Sequence, residues 1–407
     1  MIYEENEYKR SGGKHCRNSK RSKRYNKDRN ISSSRGFKGW WKRRRGWQKA
    51  LFVSSICVLS AVIIALGSLG GYFMSILSKI KRDDDFNAMD NEQLGFDQVI
   101  DKNIYNIALF GLDTRAVGDF SGNSDSIMIL SLNKVDNTIK LISVMRDSLV
   151  PINSDGKRVY DKINSAYSRG DAALAVNTLN TVFGLDISEY ATVNFFGMID
   201  IIDQVGGIDA TITNGEIHHG ITINSHIMDE CKHMGIDYSQ YLIKKEGLQH
   251  LNGIQAVAYA RVRYSKNWLG HSDDFGRTER QRYVMEQLLK KALAMDITSY
   301  PSLAAKLTPY VKTSFSNKEL LSLATFLKNK PQMVNARVPS DEYIINADFK
   351  GTGASTVYYN YEYAAKVIHA FLYDNISPED YMAQNPVDKT AWYGVKSTKK
   401  TTKNTAG

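Results

Sequence analysis

IYNIALFGLDTRAVGDFSGNSDSIMILSLNKVDNTIKLISVMRD, residues 104–147, holds three apolar runs separated by polar breaks. The first, 104–110, ends in Gly111-Leu112-Asp113; the second, 126–132, follows Asp125 directly; the third, 138–145, ends in Arg146-Asp147. Short apolar runs rich in β-branched residues and bounded by Gly, Asn and Asp read as strands. Residues 133–137 have the composition of a hairpin turn. If the runs go up, down and up, then the end of the first, the start of the second and the end of the third share one sheet edge. Asp113, Asp125, Arg146 and Asp147 converge there.

Working outward, Asp161-Lys162-Ile163-Asn164 leads into a helical segment through Phe183, with Gly184 as the residue expected just past a helix C-terminus. A strand around 190–194, a helix over 196–205 and Gly206-Gly207 before another short strand continue an alternating pattern. Alternation of this kind predicts an α/β fold, a three-layer α/β/α domain around a central mixed sheet, in which ligands bind at strand ends. Residues 213–246 read as a polar excursion. They hold His218, His219, His226, Cys231 and His233, but the spacing fits no standard zinc site and these are read as loop histidines.

The second informative stretch is NGIQAVAYARVRYSKNWLGHSDDFGRTERQ, residues 252–281. Its first part is apolar enough for a buried helix, with Arg261 and Arg263 emerging where that pattern stops. Its last part opens an amphipathic helix from about Thr278, on which Val284, Leu288, Ala292 and Met295 recur at helical spacing. Extending that stripe backwards reaches Gln281 and Arg277 on the core-facing side at the helix start, where free N–H groups add to an anion site. With Arg280, four guanidiniums fall in one short span and call for an anionic partner. Beyond it, 296–328 reads as two helices, 334–338 as a last strand and 360–373 as a closing helix. The tail from 385 is low in apolar content.

The 407-residue chain carries a net charge of +10, but residues 1–49 contain 17 Lys and Arg against 4 Asp and Glu, so the remainder is slightly acidic. That basic segment lacks hydrophobic periodicity and is expected to be disordered. Nothing in it resembles a nucleic-acid-reading motif. Residues 51–77 contain no charged side chain, a run of roughly 40 Å as a helix against a hydrocarbon core of roughly 30 Å. It is expected to be an uncleaved transmembrane signal-anchor. Trp40, Trp41 and Trp47, with Lys42, Arg43, Arg44, Arg45 and Lys49, mark its cytoplasmic flank. The expected organisation is therefore a cytoplasmic tail (1–49), a membrane helix (50–78), an extended linker (79–103), an extracellular α/β domain (104–295), further helices and a strand packed on it (296–384), and a disordered tail (385–407). The three cysteines fall one in each of the tail, the membrane helix and the outer part, so the outer part has no internal disulfide.

Two carboxylates with a set of cations and an amide on one face suit a doubly charged phosphate group with a divalent cation. Asp113 and Asp125 are hard oxygen donors of the kind that hold Mg²⁺ or Mn²⁺, and arginines take up charge in phosphoryl transfer. Outside a cell, a lipid-linked pyrophosphate is the plausible donor.

Over 105–289 the sequence resembles the LytR-CpsA-Psr family of membrane-anchored cell-wall enzymes. The resemblance rests on IALFGLDTR (107–115), SDSIMILSLN (124–133), SVMRDSLV (143–150), DKINSAYSRGD (161–171), VNFFGMIDIIDQVGGIDATI (193–212), and AYARVR with DFGRTERQR in the second stretch. It implies transfer of a glycopolymer, such as teichoic acid or capsular polysaccharide, from a polyprenyl-pyrophosphate carrier to peptidoglycan through a phosphodiester. It implies Asp113 and Asp125 as metal carboxylates, and Arg115, Arg146, Lys162, Arg261, Arg263, Arg277 and Gln281 as the groups around the pyrophosphate. Asp113, Asp125, Arg146 and Arg263 are then the catalytic set, and an apolar tunnel takes the polyprenyl chain. Where many members carry Arg before the Ser-Asp of the second strand, this chain has Asn123, so Arg115 stands in for that contact or the pyrophosphate is held less tightly. A lipid-pyrophosphate hydrolase and a non-catalytic envelope regulator are the alternatives. The residue that accepts the proton is not readable in the sequence.

Overall fold

In a computed structural model of the protein, the described residues are Ser75, 78–112, 114, 118–154, 156–295, 299–346 and 356–387. The expected membrane helix, the basic tail, Asp113, Arg115 and the chain beyond 387 lie outside them. Among the described residues no helix is long and apolar enough to cross a membrane.

The three runs of 104–147 form β2 (Ile104–Leu112), β3 (Ser124–Asn133) and β4 (Thr138–Val144), antiparallel neighbours in register from Ile104 opposite Asn133 to Ile127 opposite Val144. Their period-2 alternation sends side chains to two different layers. Ala108, Phe110, Ile129 and Ile142 face one core; Ile107, Met128, Leu130 and Leu141 face another. The turn between β3 and β4 is fixed by Asn133, whose Oδ1 accepts from the amides of Val135 at 2.9 Å and Asp136 at 3.0 Å. Asn137 completes it at φ 50°, a conformation that Asn tolerates.

The sheet has seven strands, ordered β1-β10-β7-β2-β3-β4-β11, with β1 at Lys81–Arg82, β7 at Glu189–Asn194, β10 at Val311–Thr313 and β11 at Gln332–Val338. It is mixed: β7 runs parallel to β2 and β11 parallel to β4, whereas β10 is antiparallel to β7. One face is covered by α2 (Ser165–Phe183) and α10 (Tyr361–Tyr373), the other by α7 (Asp273–Ala294) and α9 (Asn317–Lys328), which is the expected three-layer arrangement. Gly184 caps α2 at φ 63°, ψ 41°, the left-handed conformation that favours glycine.

A second core lies beside the sheet. It is built from α3 (Phe195–Gln204), the hairpin of β8 (Ile208–Ile212) and β9 (Gly247–Leu251), α4 (Asn214–His218), α5 (Ile223–Met234), α6 (Gly253–Arg261) and the middle of α7. Helix α6 crosses α3 closely: a Cβ on Gly253 would sit 2.2 Å from the Ile199 carbonyl oxygen.

Several expectations change. Residues 79–103 are not an extended linker: β1 joins the sheet, α1 (Asp84–Asn87) follows it, and Phe86 and Leu94 are buried in the main core. Asp83 fastens this segment, its carboxylate accepting from the Tyr190 hydroxyl at 2.5 Å and pairing with Lys312 at 2.7 Å. Residues 213–246 are not a structureless excursion. They hold two helices, each opened by a capping box, Thr213 with Glu216 and Thr222 with Ser225. His218, His226 and His233 are therefore helical, and Cys231 is buried. A hairpin of β5 (Leu149–Ser154) and β6 (Lys157–Lys162) also appears after β4. Beyond α7, the described helices are α8 (Tyr300–Leu307) and α9, with α10 and a short α11 (Pro378–Gln384) near the end. Two further short strands, β12 (Ile344–Asn346) and β13 (Tyr358–Tyr359), pair with each other.

Candidate active site

The expected sheet edge exists. Leu112 pairs with Ser124 on one side and with Asn194 on the other, and Ile127 pairs with Val144. The ends of β2 and β7, the start of β3 and the residues just after β4 therefore lie together. Asp125 and Arg146 meet there through Oδ1 and Nη1 at 2.6 Å. The chain of charge continues: Arg146 Nε lies 3.6 Å from Asp147 Oδ2, and Lys162 Nζ lies 2.6 Å from Asp147 Oδ1. Asp147 is only 4% exposed. A buried carboxylate between two cations orients both of them, so Asp147 positions Arg146 and Lys162. Lys162 reaches it because β6 pairs Lys162 with Leu149, two residues after Asp147.

A cavity of about 370 Å³ opens from this edge. Its polar wall includes Asp125, Asn194, Arg261, Arg263, Arg277 and Gln281, and its apolar wall includes Leu112, Met198, Val257, Val284 and Met285. The second informative stretch is thus brought against the strand ends, as its core-facing polar pair implied. Arg146 and Lys162 do not line the cavity; they are joined to it through Asp125 and Asp147. Asn123 is exposed, directly ahead of the buried Ser124.

Helix α7 starts at Asp273, a full turn before the expected Thr278. Arg277 is consequently its fifth residue and Gln281 its ninth, so both lie past the free N–H groups of the first turn. The positive potential of the cavity comes from side chains, not from the helix end.

The four guanidiniums divide into two kinds. Arg280 is fully buried: Nε pairs with Glu216 at 2.6 Å, Nη1 donates to the Val262 carbonyl at 3.0 Å and Nη2 to that of Ser265 at 2.6 Å. It fixes the backbone on both sides of Arg263 and is not available to a ligand. Arg261 lines the cavity but already pairs with Asp229 at 3.0 Å and with the fully buried Glu230. It therefore ties α6 to α5 while showing one face to the cavity. Arg263 lies with its guanidinium 5.5 Å from the ring of Tyr264, another lining residue. Arg263, Arg277 and Gln281 thus line the cavity as its cationic and amide groups, together with Asp125.

His226, one of the histidines assigned to a loop, also lines the cavity. Burial, reinforced by the Arg261 guanidinium and opposed by Asp229, lowers its pKa to about 4, so the ring is neutral near pH 7. No spacing in the sequence links it to the site; only the packing of α5 against α6 does.

For a divalent cation, the lining contributes one acid, Asp125, whose side chain is 33% exposed and has one oxygen on Arg146. Among the described residues no group of three or more His, Cys, Asp or Glu could hold a metal. Among the described residues this donor set suits a hard ion held through one carboxylate, with the rest of its shell left to other oxygens such as those of a phosphate.

An α/β/α sheet with one cavity at its strand ends, lined by cations and by apolar side chains, places the chain among α/β proteins with a strand-end binding site. The chain belongs to the LytR_cpsA_psr family, whose model matches residues 72–367. It is 30% identical over 269 residues to the polyisoprenyl-teichoic acid–peptidoglycan teichoic acid transferase TagV of Bacillus subtilis, a match covering 65% of this chain and 63% of that protein. It is 32% identical over 251 residues to TagU of Bacillus mycoides, which bears the same transferase description, covering 61% of this chain and 71% of that one. In fold it is similar to the crystal structure of protein gbs0355 from Streptococcus agalactiae, with TM-score 0.54 and 25% identity over 67% of this chain and 87% of that one.

Proposed function

We propose that the protein is a phosphotransferase that moves a glycopolymer from a polyprenyl-pyrophosphate carrier onto peptidoglycan, forming a phosphodiester. The observation that carries this is one cavity lined both by Asp125, Arg263, Arg277 and Gln281 and by the apolar side chains of Val257, Val284 and Met285. An anionic head with a long hydrocarbon tail is the ligand whose chemistry matches both parts, and TagV and TagU carry names for that transfer.

In this reading the pyrophosphate lies between Asp125 and the Arg263–Arg277–Gln281 wall, with the polyprenyl chain against Val257, Val284 and Met285. A peptidoglycan hydroxyl loses its proton to water and forms the new P–O bond at the phosphorus nearest the sugar, and the P–O bond to polyprenyl phosphate breaks. Arg263 and Arg277 receive the charge that grows on the leaving phosphate, where preorganised donors act most strongly. Arg146, held by Asp125 and Asp147, and Lys162, held by Asp147, fix the outer side of the same charge. Arg261 keeps α5 against α6 and lends its remaining face to the head. Asp125, joined by Asp113, would hold Mg²⁺ or Mn²⁺ with the pyrophosphate oxygens; such an ion supplies Lewis-acid polarisation of the phosphoryl oxygen. Arg115 is assigned to the pyrophosphate as well. The basic tail and the 50–78 helix tether the domain on the outer face of the membrane where the carrier lies.

The test incubates the purified protein with Mg²⁺, a short polyprenyl-pyrophosphate glycan and peptidoglycan oligomers, and identifies products by mass spectrometry. A glycan-phosphate-peptidoglycan adduct that disappears in Arg263→Ala is expected. Release of glycan phosphate without an adduct would make the protein a hydrolase and end the transferase reading.

A further inference from the structure

Outside the cavity, the strand that carries Lys162 has side chains that no step above uses. On β6 the residues two apart share a face, about 6.6 Å from one to the next, so Arg158, Tyr160 and Lys162 form one row. Lys162 stands at the site end, on Asp147. Tyr160 is 38% exposed, and the Arg158 guanidinium lies 5.9 Å from the centre of its ring. Tyr361, at the start of α10, is a neighbour of Tyr160. The backbone beside the row is firm: Val357 N donates to the Asp147 carbonyl and Leu149 N to the Val357 carbonyl, both at 2.8 Å, which brings Tyr358 alongside. An exposed ring with a second tyrosine beside it and a guanidinium at its face is a stiff, amphipathic platform that costs little entropy to use.

We infer that the Arg158–Tyr160–Lys162 row is the docking strip for the acceptor, a peptidoglycan glycan strand. The inference rests on the transferase reading and adds the acceptor's path to it. Three features select the occupant. In-line displacement brings the incoming hydroxyl from the side opposite the leaving polyprenyl phosphate. In the proposed reading the leaving group lies in the cavity, and the ion pairs Asp125–Arg146–Asp147–Lys162 connect a cavity-lining carboxylate to this row. The aromatic face suits the apolar face of a hexosamine ring, and Arg158 suits the carboxylates of stem peptides. The row is also continuous with the proposed site through Lys162, so a strand lying on it delivers a hydroxyl to Asp125.

The test titrates the detergent-solubilised full-length protein with a soluble tetrasaccharide of alternating hexosamines bearing stem peptides, and follows binding by saturation-transfer NMR. Polyprenyl-pyrophosphate binding is measured in parallel. Tyr160→Ala is expected to weaken tetrasaccharide binding roughly tenfold, on the scale of one lost aromatic stacking contact, with lipid binding unchanged. Tyr160→Phe keeps the ring and is expected to bind within about twofold of wild type, whereas Arg158→Ala weakens binding to the peptide-bearing sugar more than to the peptide-free sugar. Equal binding by Tyr160→Ala and wild type would overturn the strip while leaving the transfer reaction intact. So would absence of tetrasaccharide binding to wild type, or parallel loss of lipid binding in Tyr160→Ala. Displacement of the tetrasaccharide by a soluble fragment of the donor polymer would assign the row to the donor and overturn it too. Tetrasaccharide binding that follows Tyr160 while the products are purely hydrolytic would support the strip and refute the transfer reading alone.

Discussion

Arg280→Ala is expected to destabilise the helical core, whereas Arg277→Ala, three residues earlier on the same helix, is expected to leave stability almost unchanged. Arg280 and Glu216 are both fully buried, and the guanidinium makes three polar contacts, one to Glu216 and two to the carbonyls of Val262 and Ser265. Glu216 also accepts from the Thr213 amide at 2.7 Å, closing the cap of α4. Truncating Arg280 strands the Glu216 carboxylate and two carbonyls away from water and empties the volume of the side chain. Breaking a buried pair from one side costs about 3–5 kcal/mol, which for a domain of this size lowers Tm by roughly 5–15 °C. Glu216→Gln with Arg280→Met removes both charges together and is expected to recover most of that loss. Thermal unfolding followed by circular dichroism and polyprenyl-pyrophosphate binding would be measured on each variant. An Arg280→Ala protein that melts like wild type but no longer binds lipid would refute the division of the guanidiniums into structural and ligand-facing kinds.

Three further outcomes follow from the packing and charge. Gly253→Ala puts a methyl against the Ile199 carbonyl at 2.2 Å, so α6 must move off α3; a loss of about 1–3 kcal/mol in urea unfolding is expected, with Gly206→Ala, where the space is open but φ is 82°, costing less. Burial, helped by Glu319 and opposed by bonds from Ser314 and Tyr105, raises the Glu189 carboxyl to about 7. Because the folded state then holds a proton that the unfolded state has released, stability falls as pH rises from about 4.5 to about 7. Glu189→Gln should flatten that part of the profile and be the more stable protein at pH 8; a variant that follows the wild-type curve would refute it. Asp147→Asn removes the charge that orients Arg146 and Lys162, and a transfer rate roughly 10- to 100-fold lower with lipid affinity little changed is expected, the usual cost of losing an orienting partner.

Much of this architecture was legible because it is local. β2, β3 and β4 declare themselves by alternation, and once their directions are set, Asp125 and Arg146 must meet. Arg277 and Gln281 could be placed on the core side of α7 because they share the stripe of Val284 and Leu288. What was missed depends on partners far away in sequence. β1 and β10, of two and three residues, are too short to show a period; β10 exists because β7 offers it a partner, and β1 forms the edge by pairing with β10. β6, reading KRVYDK, has no apolar alternation since only Val159 of its inner face packs on the core. α4 and α5 carried readable caps at Thr213 and Thr222, but their few apolar residues hid the helices. The division of the arginines was invisible because Glu216 lies 64 residues before Arg280 and Glu230 lies 31 before Arg261. His226 entered the cavity wall for the same reason.

A crystal structure of the protein with a bound polyprenyl pyrophosphate tests the central claim most directly. The account predicts the two phosphates between Asp125 and the Arg263–Arg277–Gln281 wall, with the polyprenyl chain running along Val257, Val284 and Met285. A head group placed away from Asp125, or a chain leaving the apolar wall empty, would contradict it.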